Sequence, residues 1–177
     1  MTAKQNGHDP RTQAGDPEEV YRGLRNQVLN LDPAEVGIER APDGPAVWGA
    51  MIDMGMAGGT ATIIGLADGT TSMYTSTGGG IIGGGFHRPV ADATRTLLSC
   101  VEAHLGHLAP DDHPDLPASG RVVIRALTYR GPRSPEASEE DLGRGQHPLS
   151  PVFYAAHDVI TQLRIIDERR AAAHSGE

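Results

Sequence analysis

Six glycines occupy the eight positions from Gly78 to Gly85, and His87 and Arg88 follow almost at once. Within that run lies Gly78-x-Gly80-x-x-Gly83, the literal spacing of a dinucleotide-binding loop. Glycine lets backbone amides approach a phosphate closely, and a helix starting near Pro89 would aim its positive end at the same place. The His87 imidazole and the Arg88 guanidinium would add donors. Gly78, Gly80, Gly83, His87 and Arg88 are therefore the candidate residues for holding a small molecule or an anion.

Three features weigh against a dinucleotide. The strands before the loop read as an antiparallel meander, whereas the fingerprint needs a parallel βαβ unit. No strand ends in an acidic residue about 20 positions later, because that interval falls inside a helix. A run this rich in glycine also meets the spacing by chance. The lysine of a phosphate-binding P-loop is absent. The preferred reading is that the glycines permit close approach or a sharp strand-to-helix turn.

Other groups invite chemistry less directly. His104 and His107 lie three apart near a helix end, with Asp111, Asp112 and His113 just beyond, a set that could hold a metal. Imidazoles in a last helical turn also simply complement the helix dipole, and no metal is assigned. His147 and the neighbours His157 and Asp158 offer acid–base groups, but adjacent helical residues diverge. No Gly-x-Ser-x-Gly elbow occurs, no catalytic residue is assigned, and no cofactor is expected. Asp53 stands among Met51, Ile52 and Met54. On a wet sheet face it would be an ordinary surface residue, the favoured reading; on a covered face it would need a partner such as Arg125.

Composition narrows the classes. The net charge of −8 repels phosphate backbones, so nucleic acid and anionic membranes are not expected partners. Aromatic residues make up only 4%, too few for a base-stacking surface. The single Cys100 excludes an intramolecular disulfide. No apolar run reaches the roughly 18 residues of a membrane span, and a cytoplasmic location is the default.

The elements that must position these groups follow from periodicity. Asp16-Pro17 opens a first helix with Val20, Tyr21, Leu24, Val28 and Leu31 as its stripe. Three strands are predicted at 47–56, 60–67 and 70–77, joined by a Gly58-Gly59 turn and an Asp68-Gly69 hairpin. In the first, Trp48, Ala50, Ile52, Met54 and Met56 are expected to share one face. The third, rich in Ser and Thr, reads as an edge strand. A helix from about 89 to 108, a fourth strand at 121–129, a short helix capped by Ser134, and a last helix from Ser150 complete the order. Residues 1–15 read as a disordered tail, 16–168 as a single α+β domain, and 169–177 as a frayed end. The expected fold is α+β, with an antiparallel sheet of about four strands and packed helices.

The run IDMGMAGGTATIIGLADGTTSMYTSTGGGIIGGG, with HPLSPVFYAAHDVITQLR later, resembles a family of bacterial cytosolic proteins of uncharacterised activity. That resemblance transfers no catalytic residue. Residues Ala61–Leu108 are also similar to Roadblock/LC7-type modules, in the order strand, Ala-Asp-Gly hairpin, Ser/Thr-rich strand and amphipathic helix. The expectation is a small, non-enzymatic interaction or assembly module that self-associates as a homodimer, through Met51, Met54, Met56 and the third strand; another protein is a second possible partner. The alternative is a small-molecule or anion-binding protein, or an enzyme, using loop 78–88.

Overall fold

The computed structural model describes residues 16–111 and 115–174. The architecture is α+β: an antiparallel sheet with helices on both faces. The predicted meander is present as β1 (Val47–Met56), β2 (Gly59–Leu66) and β3 (Thr71–Thr75). At the β2–β3 hairpin Gly69 takes φ +93°, and Asp68 Oδ1 accepts from the Thr70 amide at 2.8 Å. This is the chemistry that Asp-Gly supplies to a tight turn.

The sheet has eight strands where about four were expected. β4 (Gly80–Ile81) adds to β3, and beyond β6 (Arg121–Thr128) come β5 (Ala109–Pro110), β7 (Arg133–Ser134) and β8 (Glu136–Ser138). The order is β4-β3-β2-β1-β6-β7-β5, with β8 also on β6, and every pairing is antiparallel. The extra strands are two or three residues long, too short to show an alternating pattern. Pro135 separates β7 from β8, since proline cannot donate to a ladder.

Four α-helices are found among the described residues: α1 (Pro17–Leu29), α2 (Arg88–Ala103), α3 (Glu139–Gly143) and α4 (Ser150–His174). Asp16 caps α1 as its sequence suggests, accepting from the Glu18 amide at 3.2 Å. Ser138, not Ser134, caps α3, because residues 133–138 are spent on strands. α4 continues to His174, into the segment expected to fray. The expected tail 1–15 lies outside the described residues. No helix among the described residues is long and apolar enough to cross a membrane.

α2 and α4 lie side by side on one sheet face, burying Ala50, Ile52, Ile63 and Ile124 against Val90, Leu97, Val159 and Leu163. Each such side chain contributes roughly 1.5–3 kcal/mol by leaving water. The Glu102 carboxylate of α2 accepts from the amides of Ala46 (3.1 Å) and Val47 (2.8 Å), fixing the start of β1. α1 covers the other face, where Tyr21 meets Trp48, Met51, Ile64, Tyr74 and Leu127.

Trp48 corrects the simple alternation. A register shift between Val47 and Gly49 puts Val47 with Ala50 and Ile52, and turns Trp48 to the α1 side. A bulge inserts one residue and so exchanges faces beyond it. Met51 and Met54 are buried within the protomer, leaving Met56 as the exposed methionine of β1. Thr71 and Ser72 of the presumed edge strand are buried too, and β3 carries β4 beside Met73 and Tyr74.

Asp53 is the other correction. The face it occupies is covered, and it is fully buried. Arg25 donates to it from α1, with Nη2 2.8 Å and Nε 3.2 Å from Oδ2. Arg125 Nη1 donates to Oδ2 from β6, and Thr62 Oγ1 donates to Oδ1 at 2.6 Å from β2. Because the Thr62 proton is committed to Asp53, Tyr21 donates its hydroxyl to Thr62 at 2.7 Å. Arg125 also donates through Nε to Asp111 at 2.6 Å and through Nη2 to the Asp115 carbonyl at 3.1 Å. Among the described residues, two guanidiniums therefore face two carboxylates out of water. The same cluster explains the buried Arg25 of α1; Tyr21, Leu24, Val28 and Leu31 of the expected stripe pack on this face, and Val20 departs from it, half exposed.

Removing one member of a buried charge cluster leaves its partners desolvated and unpaired. Asp53→Ala is expected to lower stability by about 3–5 kcal/mol in urea unfolding. A loss near zero would mean that the two arginines find water or other partners.

Candidate functional site

The glycine-rich segment runs from the end of β3 through β4 to the start of α2, and its glycines serve different neighbours. Gly78 donates its amide to the Thr75 carbonyl at 3.1 Å, and Thr75 Oγ1 donates to the Gly78 carbonyl at 2.7 Å. That amide is thus spent on closing the β3–β4 turn. Gly80 is the first residue of β4, and a side chain there would lie 2.5 Å from the Met73 carbonyl oxygen. Gly83 takes φ +73°, ahead of a 3-10 turn at Gly84–Phe86.

The closest approaches involve two glycines outside the candidate set. A Cβ on Gly84 would sit 2.1 Å from Leu163 Cδ2 of α4. A Cβ on Gly85 would sit 1.7 Å from the Gly69 carbonyl oxygen in the β2–β3 hairpin. The loop is pinned between a helix and a hairpin, and only glycine leaves room for both contacts.

The candidate residues do not converge on one cavity. Gly78 belongs to a small hollow beside Pro17, Val20 and Tyr74, with a volume of about 230 Å³. Gly83 belongs to another of about 290 Å³, with Gly85, Phe86 and Asp68. The Asp68 carboxylate in the latter is already bonded to the Thr70 amide and hydroxyl. His87 Nε2 accepts from Arg170 Nη2 at 2.9 Å, tying the end of α4 to the start of α2. Arg88 starts α2 and points to solvent, 3.7 Å from Asp92.

The histidine cluster near residue 104 is partly committed. His104 Nδ1 lies 2.7 Å from the Cys100 carbonyl and donates to it, as a carbonyl can only accept. Among the described residues no group of three His, Cys, Asp or Glu is arranged to hold a metal. Asp112 and His113 lie outside the described residues. Cys100 is partly buried against the α2–α4 core, and burial pushes its thiol above the usual range. Tyr74 has a buried hydroxyl with no hydrogen-bond partner among the described residues. Burial first, and then the negative charge of Asp53, push its phenol well up.

The sequence reading passed over the apolar residues inside the loop. Phe86 is 96% exposed and Ile82 is 65% exposed. A large side chain held almost wholly in water on a pinned loop is the unusual observation here. Its sequence signal was two large apolar residues inside a glycine run with no helical or strand period to bury them.

Comparison with family models, with curated proteins and with solved structures finds no match for this chain.

Gly85→Ala is expected to lower stability by about 1–3 kcal/mol, since the new methyl group must displace the hairpin backbone. Gly106→Ala, where nothing lies within 4 Å, is the control and should stay within about 0.5 kcal/mol. Equal effects in chemical denaturation would refute the close approach. Cys100 makes a separate, pH-dependent prediction. A raised thiol pKa means little thiolate near neutrality, so alkylation by iodoacetamide should be slower than for a free thiol. Its rate should still climb at alkaline pH, where the free thiol has levelled off.

Proposed function

We propose that the chain is a non-enzymatic interaction and assembly module that self-associates through the tip formed by Ile82 and Phe86. The observation that carries this reading is the exposure of Phe86 on a loop whose path is set by close glycine contacts. A rigid loop loses little conformational entropy on docking, and an aromatic anchor beside an arginine suits an interface centre. Both sheet faces are already covered by the protein's own helices, so association falls to loops and helix surfaces.

The occupant proposed is a second copy. Arg88 flanks the apolar tip, and the segment from Asp32 to Glu39 carries the opposite charge. There Val36 is 40% exposed among Asp32, Glu35 and Glu39. An apolar tip with a basic rim meeting an apolar patch with an acidic rim is a contact between different surfaces. Such a contact builds rings or filaments when the symmetric dimer is not formed. The carboxylates and imidazoles of Asp53, His87 and His104 are engaged with neighbours in the structure, which supports a binding role over a catalytic one.

Sedimentation equilibrium tests the reading. The parent protein should show concentration-dependent mass in the micromolar range, weakening as salt screens the rim charges. Phe86→Ser should be monomeric with an unchanged melting temperature, because the ring is in water in the protomer. A parent that stays monomeric at every concentration, or a Phe86→Ser variant that associates like the parent, would overturn it.

A further inference from the structure

Most arginines of the described chain are paired with carboxylates. Arg22 pairs with Glu18, Arg95 with Asp92, Arg121 with Glu136 and Arg144 with Glu140, and Arg25 and Arg125 share Asp53. Arg40, Arg130 and Arg133 have no such pair, as is also true of Arg164 and Arg169 on α4, but these three share one location. Among the described residues none of the three has a carboxylate within ion-pair distance, and all three line one concavity of about 440 Å³. Among the described residues no acidic side chain lines it. In a chain of net charge −8, three unpaired guanidiniums around one hollow are not a consequence of composition.

Two of the three guanidiniums are oriented by their neighbours. Arg133 donates to the Leu108 carbonyl through Nε at 3.0 Å and Nη2 at 2.5 Å, leaving Nη1 for another acceptor. The Arg40 guanidinium carbon lies 5.8 Å from the centroid of the Tyr129 ring, a cation–π contact that holds it over the pocket wall. Arg130 stands on a turn in which Thr128 Oγ1 donates to the Gly131 carbonyl at 2.6 Å and accepts from the Arg130 amide at 3.2 Å. The remaining wall is apolar, with Leu105, Pro110 and Pro132 beside Tyr129. Concave shape, apolar lining and a few convergent donors are the marks of a small-molecule site, and the volume lies in the usual range.

We propose that this pocket binds a small organic anion, a carboxylate or phosphate carried on a flat apolar or aromatic body. A guanidinium fork can pair with two oxygens of either headgroup, and Tyr129, Leu105 and Pro132 offer a surface for the body. The site rests on residues remote in sequence from loop 78–88, and it stands or falls independently of self-association.

Isothermal titration of the full chain with phenyl phosphate, benzoate, inorganic phosphate and benzyl alcohol tests it. Phenyl phosphate or benzoate should bind saturably, the tighter of the two naming the headgroup. Inorganic phosphate and benzyl alcohol should each bind at least about tenfold more weakly, since each lacks one half of the recognised chemistry. The double variant Arg40→Ala/Arg130→Ala, altered at two exposed positions, should lose at least about tenfold in affinity while keeping the parent's melting temperature. Backbone amide shifts of Gly106 and Gly131 in the parent should move during the titration, a readout that needs no variant. Absence of saturable binding by both organic anions, or inorganic phosphate binding as tightly as they do, overturns the proposal. So does a double variant that binds like the parent, or shifts confined to other parts of the chain.

Discussion

A carboxylate with no access to water, Asp53, sets the terms for the rest of this structure. It cannot remain charged in the interior unless positive donors reach it, and the two that do come from opposite sides of the chain. Arg25 can reach it only if α1 lies across β1, and Arg125 only if β6 pairs with β1 in the observed register. Asp111 faces the second guanidinium, so among the described residues the cluster sets two carboxylates against two guanidiniums. An apolar face would accept α1 at many angles and offsets. A set of buried donors and acceptors accepts few, because each misplacement leaves a desolvated charge unpaired.

That constraint moves the available surface to the margins. With α1 pinned over one face and α2 and α4 over the other, neither face of the sheet is left for a partner. What remains is the loop between β4 and α2, the segment around Tyr129–Arg133 where β6 turns into β7, and the outer sides of the helices. The first segment is held by close backbone contacts, the second by the Thr128 hydroxyl and the Arg133 side chain. Gly84 and Gly85 press one against α4 and the β2–β3 hairpin, and Thr128 folds the other back on itself. Exposed side chains stand on both, Ile82 and Phe86 on the first and Arg130 on the second.

The sequence determined by itself what depends on neighbours close along the chain. The three-strand meander, the Asp68-Gly69 hairpin, the Asp16 cap and the helices beginning near Pro89 and Ser150 are all written in local periodicity and turn chemistry, and the structure has them. The α+β class follows from their order. Asp53 could be recognised as a problem from sequence, and Arg125 named as its partner on a covered face, because an acid between large apolar residues needs a counter-charge.

Tertiary structure decided the matters that turn on long-range encounters. Whether the Asp53 face was wet depended on where α1 went, and Arg25, Thr62 and Tyr21 joined the cluster for that reason. One inserted residue near Val47 sent Trp48 to the face opposite the one its alternation indicated. The short strands β4, β5, β7 and β8 exist because a longer strand already offered them an edge, and two or three residues carry no period of their own. The grouping of Arg40 with Arg130 and Arg133 was invisible for the same reason: the β1–β6 pairing brings the segment before β1 against the turn after β6, and nothing in a spacing as wide as that from Arg40 to Arg130 encodes a shared pocket.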